Sequence, residues 1–307
     1  MDLNVSSTTQ QYLNSLDYIQ SQMNKAQTEV SSGLQVQQAS DDPGAIGTIF
    51  EDQTEIAINQ QVQTNLGSAQ TELSAADTAL QSSITAVQSA LSLAAEGAST
   101  TSTAQDRTNI AQQVAALQQT IVNLSQTTVN GLYIFSGDQD TQPSYQLDPT
   151  QPEGVQQLLT TTATRTIADA NGAPITIART AQEIFDAQNP GGGPAAGNVF
   201  NAINSLLTSL QNNDTAGITQ ASASLQSASD YLNGQLAFYG AAEDQVSSAQ
   251  DVAQKFQVQN QSALGSVQDA NVASAALQLT QTQTQQEAAL SVAAKIEQQP
   301  NLFSYLG

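Results

Sequence analysis

Apolar residues recur along this chain at alternating steps of four and three, the spacing that puts one stripe on a helix. Val62, Leu66, Ala69, Leu73, Ala76, Leu80, Ser83, Val87, Ala90 and Ala94 make one such seam. After a turn at Gly97 to Thr103, the run Ile110, Val114, Leu117, Ile121, Leu124 and Thr128 keeps the same step and predicts an antiparallel partner. The longest seam is Ile218, Ala221, Leu225, Ala228, Leu232, Gln235, Tyr239, Ala242, Val246, Ala249, Ala253, Phe256 and Asn260. Heptad spacing sustained over this length is that of coiled-coil helices. By itself it predicts a bundle and no particular function.

The prolines agree with that division. They fall at 43, 143, 149, 152, 174, 190, 194 and 300, leaving 44 to 142 and 195 to 299 free of them. Proline inside a helix costs about 3 kcal/mol or more, so these two stretches are permitted to be helical. The proline-containing middle changes period. Leu132-Tyr133-Ile134-Phe135 is a run of strand formers, and residues 162 to 168 face residues 175 to 179 across Asn171-Gly172, a hairpin signal. Gly191-Gly192-Gly193-Pro194 lacks the Lys and Ser or Thr of a phosphate loop and predicts a flexible return linker.

The fold class expected is therefore mainly α: a long-helix rod or coiled-coil bundle built from the N- and C-terminal segments, with a small β-containing domain inserted in the middle. The expected parts are 1–43, an N-terminal helix and linker; 44–131 and 198–265, the halves of the rod; 132–197, the insertion; and 266–307, a C-terminal helix.

The two ends are amphipathic as well. Tyr12, Leu16, Ile19, Met23, Ala26 and Val30 form a stripe that Gly33 stops, and Asp42 and Pro43 predict the N-cap and first turn of the next helix. At the far end Val272, Ala276, Leu279, Gln283, Gln286, Leu290 and Ala293 hold a heptad register with glutamine at its centre. Each stripe is too thin to bury alone, so the ends pair with each other or with neighbouring molecules.

Composition narrows the chemistry. Among 307 residues there are 27 Asp plus Glu against 6 Lys plus Arg, a formal net charge of -21, which repels phosphate backbones and anionic lipid. Nucleic acid and membrane surfaces are excluded as partners. There is no Cys and no His, which removes disulfides, thiolate and imidazole catalysis, and Cys/His zinc sites. No cofactor, metal or catalytic residue is expected. Asp41-Asp42 and Glu51-Asp52 are acidic pairs at or near a helix N-terminus, where negative charge is ordinarily stabilising. Residues 1 to 20 have neither the basic nor the apolar region of a cleavable secretory signal.

Ser31-Ser32-Gly33-Leu34 followed by Ala39-Ser40-Asp41-Asp42-Pro43-Gly44 resembles the N-terminal signature of the flagellin family, which includes filament subunits and proteins of the hook-filament junction. Residues 266 to 273, Ser-Val-Gln-Asp-Ala-Asn-Val-Ala, with Leu302, Phe303 and Leu306 near the end, resemble its C-terminal signature. Two departures are Gln35-Val36-Gln37, where the family usually has a basic residue, and Asn271 in place of an Asp. The resemblance implies that the terminal helices carry assembly, through Leu16, Ile19, Met23, Val30, Val272, Leu279, Leu290, Leu302, Phe303 and Leu306, with Gly33, Asp41, Asp42 and Pro43 forming the signature turn. It implies an extracellular, flagellar location reached through the flagellar export apparatus, with an export chaperone, other axial proteins and copies of the chain itself as partners. Residues 131 to 138 and Ile184-Phe185-Asp186 are similar to junction-type members, with flagellin itself as the alternative and an adhesive protein on the same frame as a third reading.

Overall fold

The computed structural model describes the backbone of residues 7–297 and the side chains of residues 10–294. Seven helices are described, α1 Ser7–Ser32, α2 Ile46–Ala98, α3 Ala104–Ser125, α4 Ala181–Phe185, α5 Val199–Gln211, α6 Thr215–Gln268 and α7 Val272–Glu297. Six short strands lie between α3 and α4: β1 Thr128–Val129, β2 Leu132–Tyr133, β3 Tyr145–Leu147, β4 Val155–Gln157, β5 Thr166–Ala168 and β6 Pro174–Thr176. They pair only with sequence neighbours, as three antiparallel hairpins. The chain is mainly α with a small β-containing segment in its middle. It divides into two compact units, Asn59–Phe256 and a second made of residues up to Ile58 together with those from Gln257 onward.

In the unit Asn59–Phe256 the α2 seam is closed to solvent from Leu66 to Ala94, Ser83 included, and the α6 seam from Ile218 to Ala253. The two helices run antiparallel. Asn59 donates from Nδ2 to the carbonyl of Ala253, 2.6 Å. At the other end a Cβ on Gly97 would lie 3.7 Å from Cδ1 of Ile218 and 2.6 Å from Cδ2 of Leu210. Glycine at 97 thus makes room for Leu210 of α5, while Ile218 of α6 lies at ordinary contact distance.

Thr103 and Asp106 form a capping box at the start of α3, each side chain bonded to the other's backbone N–H. That geometry holds Asp106 below the ordinary carboxylate range. Arg107 is buried one residue on and ties three segments together, donating to the carbonyls of Gly97 and Ser99 and to Oδ1 of Asn213. Asn213 has a left-handed backbone, φ 56, in the turn that separates α5 from α6.

Two details differ from the expected pattern. Helix α3 stops at Ser125, and Thr128 lies in β1, because Asn130 and Gly131 both take positive φ, 53 and 81, and turn the chain into the β1–β2 hairpin. The Gly191–Gly193 segment is a closed turn: Asn189 N–H donates to the carbonyl of Gly193, and Gln188 bridges Pro194.

The hairpins are anchored by aromatic side chains. Phe135 lies edge-on to Phe185 at 5.9 Å and to Tyr239 of α6 at 6.3 Å, and Phe200 of α5 contacts both Phe185 and Tyr145. Edge-to-face pairs of this kind add about 0.5–1.5 kcal/mol beyond their burial. Arg179 stands 4.1 Å over the Phe238 ring and donates to Oε1 of Gln235, while its backbone N–H donates to the Tyr239 hydroxyl. Gln235, the polar interruption of the α6 seam, therefore holds an arginine. Arg165 forms a 2.9 Å ion pair with Glu72 of α2. Burial nevertheless raises the Glu72 carboxyl above its ordinary value.

Leu80→Ala, at a fully buried seam position, should lower unfolding stability by about 2–5 kcal/mol in chemical denaturation. Thr78→Ala on the exposed side of the same helix should change it by about 0.5 kcal/mol or less. Equal effects would mean that the seam is not the core.

Candidate assembly interface

In the other unit, α1 packs along α7. The α1 stripe faces inward as expected, with Ala26 fully buried and Tyr12, Leu16, Ile19, Met23 and Val30 half-buried. On α7 the inward face is Ala275, Leu279, Thr282, Gln286, Ala289 and Ala293. Tyr12 donates its hydroxyl proton to the carbonyl of Ala289, 2.9 Å, and Gln278 donates to Oε1 of Gln22, 3.1 Å.

This register corrects the expected one at four of its seven positions. Leu279, Gln286 and Ala293 face α1, whereas Val272, Ala276, Gln283 and Leu290 point outward; Val272 is 47% and Leu290 53% exposed. The reason is side-chain size. Ala275, Thr282 and Ala289 are small enough for α1 and α7 to approach closely, and the larger Leu290 is left on the outer surface. Leu302, Phe303 and Leu306 lie outside the described residues.

The segments beyond the helices join the two ends of the chain. Gly33, φ 74, ends α1, its N–H bonding the carbonyl of Glu29. Leu34 then pairs antiparallel with Asp269. Gln35 and Val36 donate their N–H groups to the carbonyl of Gln268, and Ala270 donates to that of Gly33, 2.8 Å. The amides of Gln35 and Gln268 reach across to the carbonyls of Val267 and Val36. Glutamine at 35 thus makes a neutral bond to the opposite backbone. Asn271 makes no ion pair either; its side chain accepts from Ser274 N–H and caps α7.

The signature turn is built from backbone donors. Asp41 accepts from the N–H groups of Gln37 and Gln38, both 3.0 Å, which holds its carboxyl below the ordinary range. Asp42 accepts from Gly44 and Ala45. It caps a turn over residues 43 to 45, and α2 itself begins at Ile46 rather than at Pro43. The residues that sequence reasoning missed are Val36, Gln268, Asp269, Ala275 and Thr282. Asn271 just before Val272 is the cap signal that could have located the start of α7.

Several large apolar side chains of this unit remain exposed: Tyr18 66%, Phe50 64%, Leu277 61%, Leu13 43% and Val292 49%, besides Val272 and Leu290. No described helix is long and apolar enough to cross a membrane.

Paired terminal helices and a helical unit that carries small hairpins make up a fold similar to that of flagellin-like proteins. Residues 3–140 match the bacterial flagellin N-terminal helical region. The fold is that of the hook-associated proteins. A structure assigned as a flagellar hook-associated protein of Vibrio parahaemolyticus is 21% identical with a TM-score of 0.65, covering 75% of this chain and 100% of that one. Hook-associated protein 3 of Legionella pneumophila is 13% identical with a TM-score of 0.61, covering 71% and 98%. FlgL of Xanthomonas campestris is 15% identical with a TM-score of 0.58, covering 68% and 98%. At these identities the likeness establishes the fold. No curated protein sequence matches this chain.

Ala26→Leu puts three extra carbons where α1 meets α7 and should weaken the pair by about 1–3 kcal/mol. Hydrogen exchange of residues 12 to 30 and 275 to 289 should accelerate together, with residues 66 to 94 unchanged. Acceleration confined to one of the two helices would show that they are not held by each other.

Proposed function

We infer that this protein is a structural, non-catalytic subunit of the bacterial flagellum that joins the hook to the filament. The observation that carries this is the fold shared with hook-associated proteins over 68% or more of the chain in the structures compared, together with a flagellin-type N-terminal helical region. The absence of Cys and His supports a structural role, since the usual nucleophiles and bases of neutral-pH catalysis are missing.

In this reading the α1–α7 pair is the assembly element. Leu16, Ile19, Met23, Val30 and Leu279 hold the two helices of one subunit together, and the exposed Val272 and Leu290 meet neighbouring subunits. Its partners are the preceding hook-associated protein, flagellin and copies of itself in a ring. It leaves the cell through the flagellar export apparatus, with an export chaperone, and works outside the cell.

Flagellin is the second reading, favoured by the match over residues 3–140. The two differ in self-association. A filament subunit presents two surfaces that fit each other and therefore polymerises without limit. A junction subunit fits a different protein at each end. Purified protein seeded with flagellar fragments should form no long filaments, and a strain lacking it should keep its hooks and release flagellin into the medium. Micrometre-long tubes of this protein alone would make it the filament subunit.

Leu290→Asp tests the interface at one residue. An exposed side chain tolerates a carboxylate in the monomer, whereas a buried unpaired one costs several kcal/mol in the assembly. The variant should be exported at normal levels and support no filaments. Normal motility would remove Leu290 from the interface.

A further inference from the structure

The β3–β4 hairpin is joined by the turn Asp148–Gly154, which rests on the beginning of α5. Asn204 of α5 donates to the carbonyl of Pro152, 2.8 Å, and Gln118 of α3 donates to Oδ1 of Asn204. Gly154 has φ 73, and a Cβ there would fall 2.2 Å from Nε2 of Gln118, so the turn sits directly against both helices.

Two carboxyl groups meet at this contact. Asp186, just past α4, is buried, with Oδ2 accepting from the Tyr145 hydroxyl at 2.7 Å and Oδ1 from Asn198 Nδ2 at 2.7 Å. The same Asn198 nitrogen reaches Oε2 of Glu153 at 3.3 Å, and Gln188 Nε2 donates to both acids. Asn198 is also the N-cap of α5, its Oδ1 accepting from Asn201 N–H. One asparagine thus caps the helix, holds Asp186 and touches the acid of the incoming turn.

Among the described residues no cation forms an ion pair with either acid. The side-chain ion pairs among the described residues, Lys25–Glu29 and Arg165–Glu72, lie elsewhere. The other ionisable groups near the contact are accounted for. Tyr145 of β3 is bound to Asp186, Asp148 of the turn accepts from Thr150, and Glu183 of α4 is bound to its own cap, Thr180. Two carboxylates without a cation cannot both ionise cheaply, whereas a carboxyl and a carboxylate can share a proton.

We propose that Glu153 and Asp186 form a carboxyl–carboxylate latch that seats the β3–β4 hairpin on the first turn of α5 and releases it when Glu153 gives up its proton. Loss of solvent, followed by the hydrogen bond and charge of Asp186, pushes Glu153 up to about 7 from an ordinary value of 4.5. The seated turn therefore keeps a proton that a released turn gives up. Seating is strongest below pH 4.5, weakens as pH rises from 4.5 to about 7, and is constant above that.

The test uses the full chain labelled with carbon-13 at glutamate carboxyls. Glu153, assigned by its absence from Glu153→Gln, should titrate near 7, and Asp186→Asn should bring its midpoint down toward the ordinary range. A midpoint between about 4 and 5 in the wild type overturns the latch. Hydrogen exchange gives the second reading, corrected for the intrinsic effect of pH. Protection of residues 145 to 157 should fall about tenfold between pH 4.5 and 8, a figure reduced for the partial exposure of Glu153. Residues 166 to 176 should change little, and Glu153→Gln should abolish the difference. Equal loss in both hairpins, or an unchanged profile in Glu153→Gln, also overturns it.

Discussion

Everything in the Asn59–Phe256 unit depends on burying two antiparallel helical stripes against each other. The stripe residues are mostly Ala, Leu and Val, so each layer contributes little, and length supplies the burial that large side chains provide elsewhere. Aromatic residues are only 5% of the chain, and several are concentrated in one place, around Phe135, Phe185, Phe200 and Tyr239. There the hairpins have no extended sheet to stabilise them. Two-stranded ribbons of two or three residues are marginal in water alone, and this aromatic contact with α5 and α6 gives them a core.

Charge is distributed with a similar economy. The six basic residues are Lys25, Lys255 and Lys295 with Arg107, Arg165 and Arg179. All three arginines serve internal contacts, binding carbonyls, an aromatic face or Glu72. A planar guanidinium with five donors can tie several segments at once, which a lysine ammonium cannot do as rigidly. Among the described residues most of the acids have no ion pair, and at a formal net charge of -21 the molecule meets its surroundings as a polyanion.

The seams of α2 and α6 could be read from sequence because a long helix packed on one side repeats its apolar spacing many times. The Asn171-Gly172 hairpin was equally legible, since its turn chemistry is local. Asn130-Gly131 carries the same signal just after an apparent helical repeat whose spacing extends to Thr128 and masks it. The α7 register is not legible because Ala, Gln and Thr dominate that helix on all sides, so which face turns inward is decided by α1 and not by α7 alone. The linker pairing of Leu34 with Asp269 was invisible for a similar reason: its bonds run between backbone groups, which leave no trace in residue type.

The bond from Tyr12 to Ala289 spans 277 positions of sequence. Helix α1 is thus the first described element to be synthesised and among the last to find its partner. The loop that must close is nearly the whole protein, and closing it becomes easier once the intervening unit has folded and shortened the path between its ends. The terminal pair is therefore a late event in time. Until α7 is available, α1 presents a thin apolar stripe with nothing to cover it.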